Sequence, residues 1–146
     1  MRVVLDSNIL VRAAGNADGL AGRLLRCVLQ EPHRLLVSAF ILGEVSRVLA
    51  YPRLQSRWGL TDERIQAHAN RLASAAEVVI VALADRVVPD DPDDDFIVQT
   101  AVVGHADALC TRDTHLLSLE VVQYCHSHGV RVMDDIELYR VLARQV

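Results

Sequence analysis

Residues 90–111 read DDPDDDFIVQTAVVGHADALCT. Five aspartates crowd around one proline, an apolar run of helical character follows to about Gly104, and DALCT at 107–111 closes the stretch as a short apolar strand. A helix delivered into a buried strand is half of a β-α-β unit. The acids are harder to explain, because two like charges about 4 Å apart repel by roughly 1 kcal/mol in water and by more where solvent is excluded. One reading is a solvated loop whose last aspartate caps the helix, since Asp is a preferred N-cap and suits the positive helix end. The other is a cation site.

The rest of the chain extends the same alternation. RVVLD at 2–6 is an apolar run ending in an acid, as a buried parallel strand does at the sheet edge. Leu20, Leu24, Leu25, Val28 and Leu29 keep helical spacing up to Pro32, LLVS at 35–38 is a second strand, and Ile41 to Leu49 form a helical stripe before Pro52. Thr61, Asp62 and Glu63 open another helix, and VVIVAL at 78–83 is a third strand. After the acidic helix and the fourth strand, residues 116–128 are helical up to Gly129, VRVM at 130–133 is a fifth strand, and DDIELYRVLARQ closes with a helix. Asp134 and Glu137 have capping-box spacing at its start. Strands alternating with helices predict one α/β domain over residues 1–146, built on a parallel sheet.

Composition narrows the function. At 146 residues and 51% hydrophobic, the chain can bury a core of its own. No apolar run approaches the roughly 18 residues of a membrane span, and MRVVLDSN enters a strand pattern without a signal-peptide core, so a cytoplasmic protein without a membrane partner is expected. Cys27, Cys110 and Cys125 lack paired spacing and read as reduced. The 15 basic residues are all arginine, and the net charge of −4 argues against holding nucleic acid by bulk electrostatics alone. There is no P-loop and no G-x-S-x-G. His126 and His128, just before Gly129, mark a helix C-terminus rather than a metal site.

Four acids stand out. Asp6 ends the first strand, Asp113 lies just past the fourth, and Asp94 and its neighbours start the helix that feeds the fourth. Sites in open parallel sheets form outside the carboxyl ends of strands where strand order reverses, so adjacency of the first and fourth strands would bring these together. Glu44 sits on an otherwise apolar helical register; alone it reads as a surface residue paired with Arg47.

LDSN at 5–8, SAFILGEVSRVLAYPRL at 38–54, DPDDDFIVQTAVVGHADALCTRDTHLL at 91–117 and the late DDIELYRVL together resemble the PIN-domain family of metal-dependent ribonucleases, within its branch of toxin components from toxin–antitoxin pairs. The resemblance spans nearly the whole chain and implies a five-stranded parallel sheet in the order 3-2-1-4-5. It places the family's acids on Asp6, Glu44, Asp94 and Asp113; Asp94 is preferred to Asp93 and Asp95 by its seven-residue spacing from Ala101. His115 departs from the second acid that relatives often carry there. Also implied are an RNA substrate, an antitoxin partner and a homodimer.

Such a quartet suits Mg²⁺ or Mn²⁺, hard ions that take oxygen ligands. Asp6, Asp94 and Asp113 are expected on the metal, with Glu44 positioning the attacking water or a second ion, as in metal-assisted phosphodiester hydrolysis. Ser7, Asn8 and Thr111 are short polar groups beside these acids that could hydrogen-bond them. Two other readings compete. A phosphoryl-accepting α/β domain would need a lysine near its nucleophilic Asp, and the chain has none. A catalytically silent module of the same fold, binding RNA or protein, would have no use for an intact quartet.

Overall fold

The computed structural model describes residues 1–82, 87–88 and 91–145. β1 (Arg2–Leu5) leads into α1 (Ser7–Gly15) and α2 (Leu20–Val28), and β2 (Arg34–Val37) into α3 (Ala39–Leu49), α4 (Pro52–Trp58) and α5 (Asp62–Ala75). β3 (Glu77–Val78) precedes α6 (Asp94–Val103), β4 (Ala108–Cys110) precedes α7 (Leu119–Ser127), and β5 (Arg131–Met133) precedes α8 (Asp135–Ala143). The strands form one parallel sheet in the order β3-β2-β1-β4-β5, the expected topology. Val4 of β1 lies opposite Leu36 on one side and Leu109 on the other.

The strands are apolar at consecutive positions because helices cover both faces of the sheet. Val3, Val4, Leu5, Leu36, Val37 and Leu109 have no exposed surface, and each such aliphatic side chain contributes about 1.5–3 kcal/mol by burial. α6 packs across β1, β2 and β4 and against α3, while α1 packs on α2 and α3. Helix starts follow the capping residues: Thr61 accepts from the Arg64 amide at 3.2 Å and Asp134 from that of Glu137 at 2.8 Å. Gly129, at φ +78°, turns the chain out of α7 where a side chain would be strained. Cys27, Cys110 and Cys125 are free thiols, as expected. No helix among the described residues is long and apolar enough to cross a membrane.

The sequence reading and the structure part company in four places. Residues 7–15 and 52–58 are helical where no helix was expected. The strand expected over 78–83 is only Glu77–Val78: the Val79 amide still reaches the Val37 carbonyl at 2.7 Å, but Ile80 is 89% exposed. β3 is an edge strand, so nothing beyond β2 holds the chain to the sheet once it turns away; Leu83 lies outside the described residues. The helix expected from Leu116 starts at Leu119, after Ser118 caps it through the Val121 amide.

One contact fixes α2 against the loop before it. A Cβ on Gly22 would lie 2.1 Å from the Ala17 carbonyl oxygen, whereas one on Gly43 would meet nothing within 4 Å. Both glycines are helical, so Ala should gain up to about 1 kcal/mol from propensity alone. Gly43→Ala should therefore melt at or above the wild-type temperature. Gly22→Ala should lose about 1–3 kcal/mol to overpacking, a fall in Tm of roughly 2–10 °C. Equal shifts in a melting experiment would contradict the close approach.

Candidate active site

β1 is flanked by β2 on one side and β4 on the other, so the chain's strand order reverses at the β1–β4 crevice. Asp6 leaves β1 there and is the N-cap residue of α1. Its amide donates to the Cys110 carbonyl at 2.9 Å, carrying the pairing with β4 one residue beyond the strand. The carboxylate, only 4% exposed, accepts from the Thr111 hydroxyl at 2.8 Å. The same hydroxyl oxygen accepts from the Asp113 amide at 2.9 Å. Thr111, fully buried, thereby ties the end of β1 to the loop after β4 and sets where Asp113 stands.

The acidic stretch meets this edge from α6. Asp94 is the first residue of the helix and Asp91 lies one turn ahead. The Asp91 carboxylate accepts from the Asp93 amide at 3.1 Å, and its carbonyl accepts from the Asp94 amide at 3.1 Å. That local turn brings residues 91 and 94 together. Single oxygens of Asp91, Asp94 and Asp113 lie within 4.8 Å of one another. Asp93, at the N-cap position, makes no side-chain cap hydrogen bond. Asp95 is fully buried and turns the other way: its carboxylate accepts from the Val87 and Val88 amides at 2.7 and 2.8 Å, binding the preceding loop to α6. The last aspartate is thus a loop clamp and not a helix cap. Asp90 lies outside the described residues.

α3 brings Glu44. Its Oε2 accepts from the Ser7 hydroxyl at 2.5 Å, while Oε1 is 3.6 Å from the Arg47 guanidinium. The surface pairing with Arg47 therefore exists, but it is the longer of the two contacts, and the shorter points inward to α1. Stacked rings of Phe40 and Phe96, 4.5 Å apart with planes within 9°, join α3 to α6 and hold the helices carrying Glu44 and Asp94 in one relation. Asn8 is exposed and, among the described residues, hydrogen-bonds none of the acids, unlike Ser7 and Thr111. His115 donates its backbone amide to Asp113 at 2.8 Å.

The electrostatics are those of a crowded, partly dry site. Burial raises the Asp6 carboxyl to about 6, with Glu44 and Asp113 adding to the rise and the Thr111 hydrogen bond opposing it. Burial raises Asp94 further, to about 8, and the carboxylates of Asp113, Asp91, Asp6 and Glu44 all push the same way. Asp94 Oδ2 is buried and has no hydrogen-bond partner among the described residues. An orphaned carboxylate oxygen costs about 1–3 kcal/mol or more. It is a tolerable cost where a ligand completes the site.

The donor set fits a small divalent cation. It consists of hard carboxylate oxygens, with no buried amine to neutralise them, and Mg²⁺ binds such oxygens at about 2.0–2.1 Å. Two oxygens on one such ion are at most about 4.2 Å apart, so the Asp91–Asp94–Asp113 group would close only slightly around it. Asp6 and Glu44 stand outside that tightest group yet within electrostatic reach of Asp94. Asp91 was not anticipated from the sequence. Its signal is the D-P-D-D sequence, in which an Asp three residues before the helix start folds back over it through a turn.

The sheet order and the gathered acids define an α/β domain with a carboxylate cluster at the topological switch point. The PIN-domain sequence profile matches residues 2–115, and the chain belongs to the PIN-domain family. Among solved structures, it is similar to VapBC2 from Rickettsia felis bound to a DNA fragment from their promoter, with a TM-score of 0.57 and 13% identity over 92% of this chain and 98% of that chain. At that identity the similarity speaks for the fold. No curated protein sequence matches the chain.

Proposed function

We propose that this protein is a metal-dependent endoribonuclease that hydrolyses RNA phosphodiester bonds with Mg²⁺ or Mn²⁺, acting as the toxin of a toxin–antitoxin pair. The observation that carries the reading is Asp94, which has a buried oxygen without a hydrogen-bond partner among the described residues and a carboxylate grouped with those of Asp91 and Asp113. A binding module would gain nothing from that arrangement, since it costs stability in the absence of a cation. Family membership supports nuclease chemistry, and the VapBC2 neighbour, solved as an assembly on promoter DNA, supports a protein partner. A homodimer and a cytoplasmic setting belong to the same proposal.

Asp91, Asp94 and Asp113 would hold the cation, with Asp6 beside them or reaching it through water. When bound, the ion supplies Lewis-acid activation of water and neutralises charge gathering on the phosphodiester. The chain's own residues do the rest. Thr111 fixes Asp6 and Asp113 relative to each other, so their oxygens need not reorganise when the substrate arrives. Ser7 occupies Glu44 Oε2 and leaves Oε1, which among the described residues has the long Arg47 contact alone, to orient a water and take its proton. Among the described residues, no side chain is placed as an activated nucleophile.

The test is cleavage of single-stranded and structured RNAs, with a DNA arm, in Mn²⁺ and in EDTA. RNA cleavage by the wild type, lost in EDTA and absent in Asp6→Asn, is expected. Equal cleavage by wild type and variant would expose a contaminating nuclease. Tight RNA binding without cleavage in any metal would return the protein to the silent-module reading, and cleavage of DNA alone would overturn the substrate.

A further inference from the structure

A concave surface is lined by residues from α1, α2, α4 and the segments that leave β4 and β5. It encloses about 430 Å³, and its lining includes Arg12, Arg57, Trp58, Arg112 and Asp135. That volume falls within the roughly 300–1,000 Å³ of small-ligand sites. Asp135, 1% exposed, is its organising group. The carboxylate accepts from Arg12 at 3.0 Å and from Arg112 at 2.7 Å, and these two hydrogen bonds with their charges hold its pKa below the usual range against the effect of burial. Two guanidiniums from distant segments are thus set side by side, each using one nitrogen on Asp135 and keeping other donors for a ligand. Both remain substantially exposed, at 39% and 50%.

Arg57 is exposed, and its side chain makes no hydrogen bond or ion pair among the described residues. Three arginines against one carboxylate leave the surface with about two positive charges, on a chain whose net charge is −4. Trp58 adds a flat apolar wall, and its indole rests so closely on Gly15 that a Cβ there would sit 2.4 Å from the ring. Trp58 is the protein's one tryptophan. The position relative to the acids matters most. Arg112 and Asp113 are consecutive, with Cα atoms about 3.8 Å apart; Arg112 turns to Asp135, whereas the flanking Thr111 and Asp113 serve the acid site.

Resting on the ribonuclease reading, we propose that this pocket is the substrate-positioning subsite: a backbone phosphate of single-stranded RNA binds between Arg12, Arg57 and Arg112, and the adjoining base stacks on Trp58. An acidic catalytic crevice repels the polyanion it must cut, so attraction has to come from a separate, adjacent surface. Arginine forks suit phosphate oxygens, and an aromatic ring accepts any base. The pocket therefore governs grip and register on the strand, and leaves the hydrolytic step to the acids.

The test separates binding from cleavage. In EDTA, where cleavage stops, a short single-stranded RNA should quench the single-tryptophan fluorescence of the wild type, while inorganic polyphosphate binds without quenching. Read by anisotropy of a dye-labelled RNA, since the Trp58 variants lack the one tryptophan, Trp58→Ala should weaken RNA binding by about 5- to 150-fold, the range for one base–aromatic stack. Trp58→Phe should recover most of that affinity, which guards against a folding defect. Arg57→Ala, at an exposed position, should weaken binding and flatten the salt dependence by about one phosphate contact, roughly 0.7 in the slope for single strands. In metal it should raise KM and spare kcat. Cleavage by the wild type with unquenched Trp58, and with Arg57→Ala unchanged in KM and salt slope, would overturn the subsite and leave the nuclease standing. Quenching by an acidic peptide and not by RNA would overturn it in favour of a protein contact. Loss of cleavage with RNA quenching intact would instead strike the catalytic reading.

Discussion

Asp94→Asn is expected to abolish metal-dependent cleavage while making the metal-free protein more resistant to heat. The two effects have one origin. Asp94 is buried, its Oδ2 lacks a partner among the described residues, and the carboxylates of Asp113, Asp91, Asp6 and Glu44 all oppose its ionisation. Asn keeps the size and removes the charge, and its amide nitrogen can donate to a neighbouring carboxylate. The pH dependence follows from the direction of the shift. With a pKa raised from 3.8 to about 8, the stability tied to the protonated carboxyl is fully present below pH 4 and is lost as pH rises through 8. Wild type without metal should therefore weaken across that window by more than the variant, which keeps only the smaller loss from Asp6 as pH rises through about 6. The melting curves should nearly coincide below pH 4, separate as pH rises from 4 to 8 and reach their full gap by about pH 8, where the variant leads by about 1–3 kcal/mol, or roughly 2–10 °C. Mn²⁺ should reverse the order, stabilising the wild type by about 2.7 kcal/mol at a hundredfold excess over Kd and the variant little. Cleavage should fall by more than the ten- to hundredfold typical of groups that only support a ligand. A variant that melts lower than wild type at pH 9 without metal would mean that the Asp94 charge serves α6 and no cation.

Glu44→Gln should cost cleavage about 10²- to 10⁴-fold, the usual worth of a general base, with the fold nearly untouched. Gln retains an oxygen to accept from Ser7, so the 2.5 Å contact to α1 survives in kind. What disappears is the negative oxygen facing Arg47 at 3.6 Å, a partly exposed pair worth at most a few tenths of a kcal/mol. Stability should stay within about 1 kcal/mol of wild type, and the loss should appear in kcat. Full activity in Glu44→Gln would reduce Glu44 to a helix-surface residue whose inward contact is structural.

Much of the frame is legible in the sequence. Short apolar runs ending in acids marked β1 and β4, and β-α alternation implied parallel strands, so Asp6, Asp94 and Asp113 could be placed at one edge once β1 and β4 were neighbours. Thr61 and Asp134 announced their helices by capping chemistry. The misses share a physical cause. α1 follows β1 with only Asp6 between them, and its apolar residues Ile9, Leu10, Val11 and Ala13 follow the strand's own apolar run so closely that little in the pattern marks the helix. α4 has no fully buried residue, hence little periodic signal. Asp91 was lost among its neighbours because the choice lay between three successive helix-start acids, while the turn through Asp93 selects the residue one turn earlier. The arginine pocket is assembled from α1, α4, the end of β4 and the start of α8. Nothing in the local pattern of those segments announces that they meet.

The most direct test of a cation held by this edge is calorimetric titration of Mn²⁺ into chelator-treated protein at pH 8.5. The wild type should bind saturably, Asp94→Asn should bind negligibly, and Asp91→Asn should bind at least about tenfold more weakly. Asp93→Asn, whose exposed side chain lies outside the tight acid group, should match the wild type. Indistinguishable titrations for all four proteins, or none in the wild type, would contradict the metal site and the hydrolytic chemistry built on it.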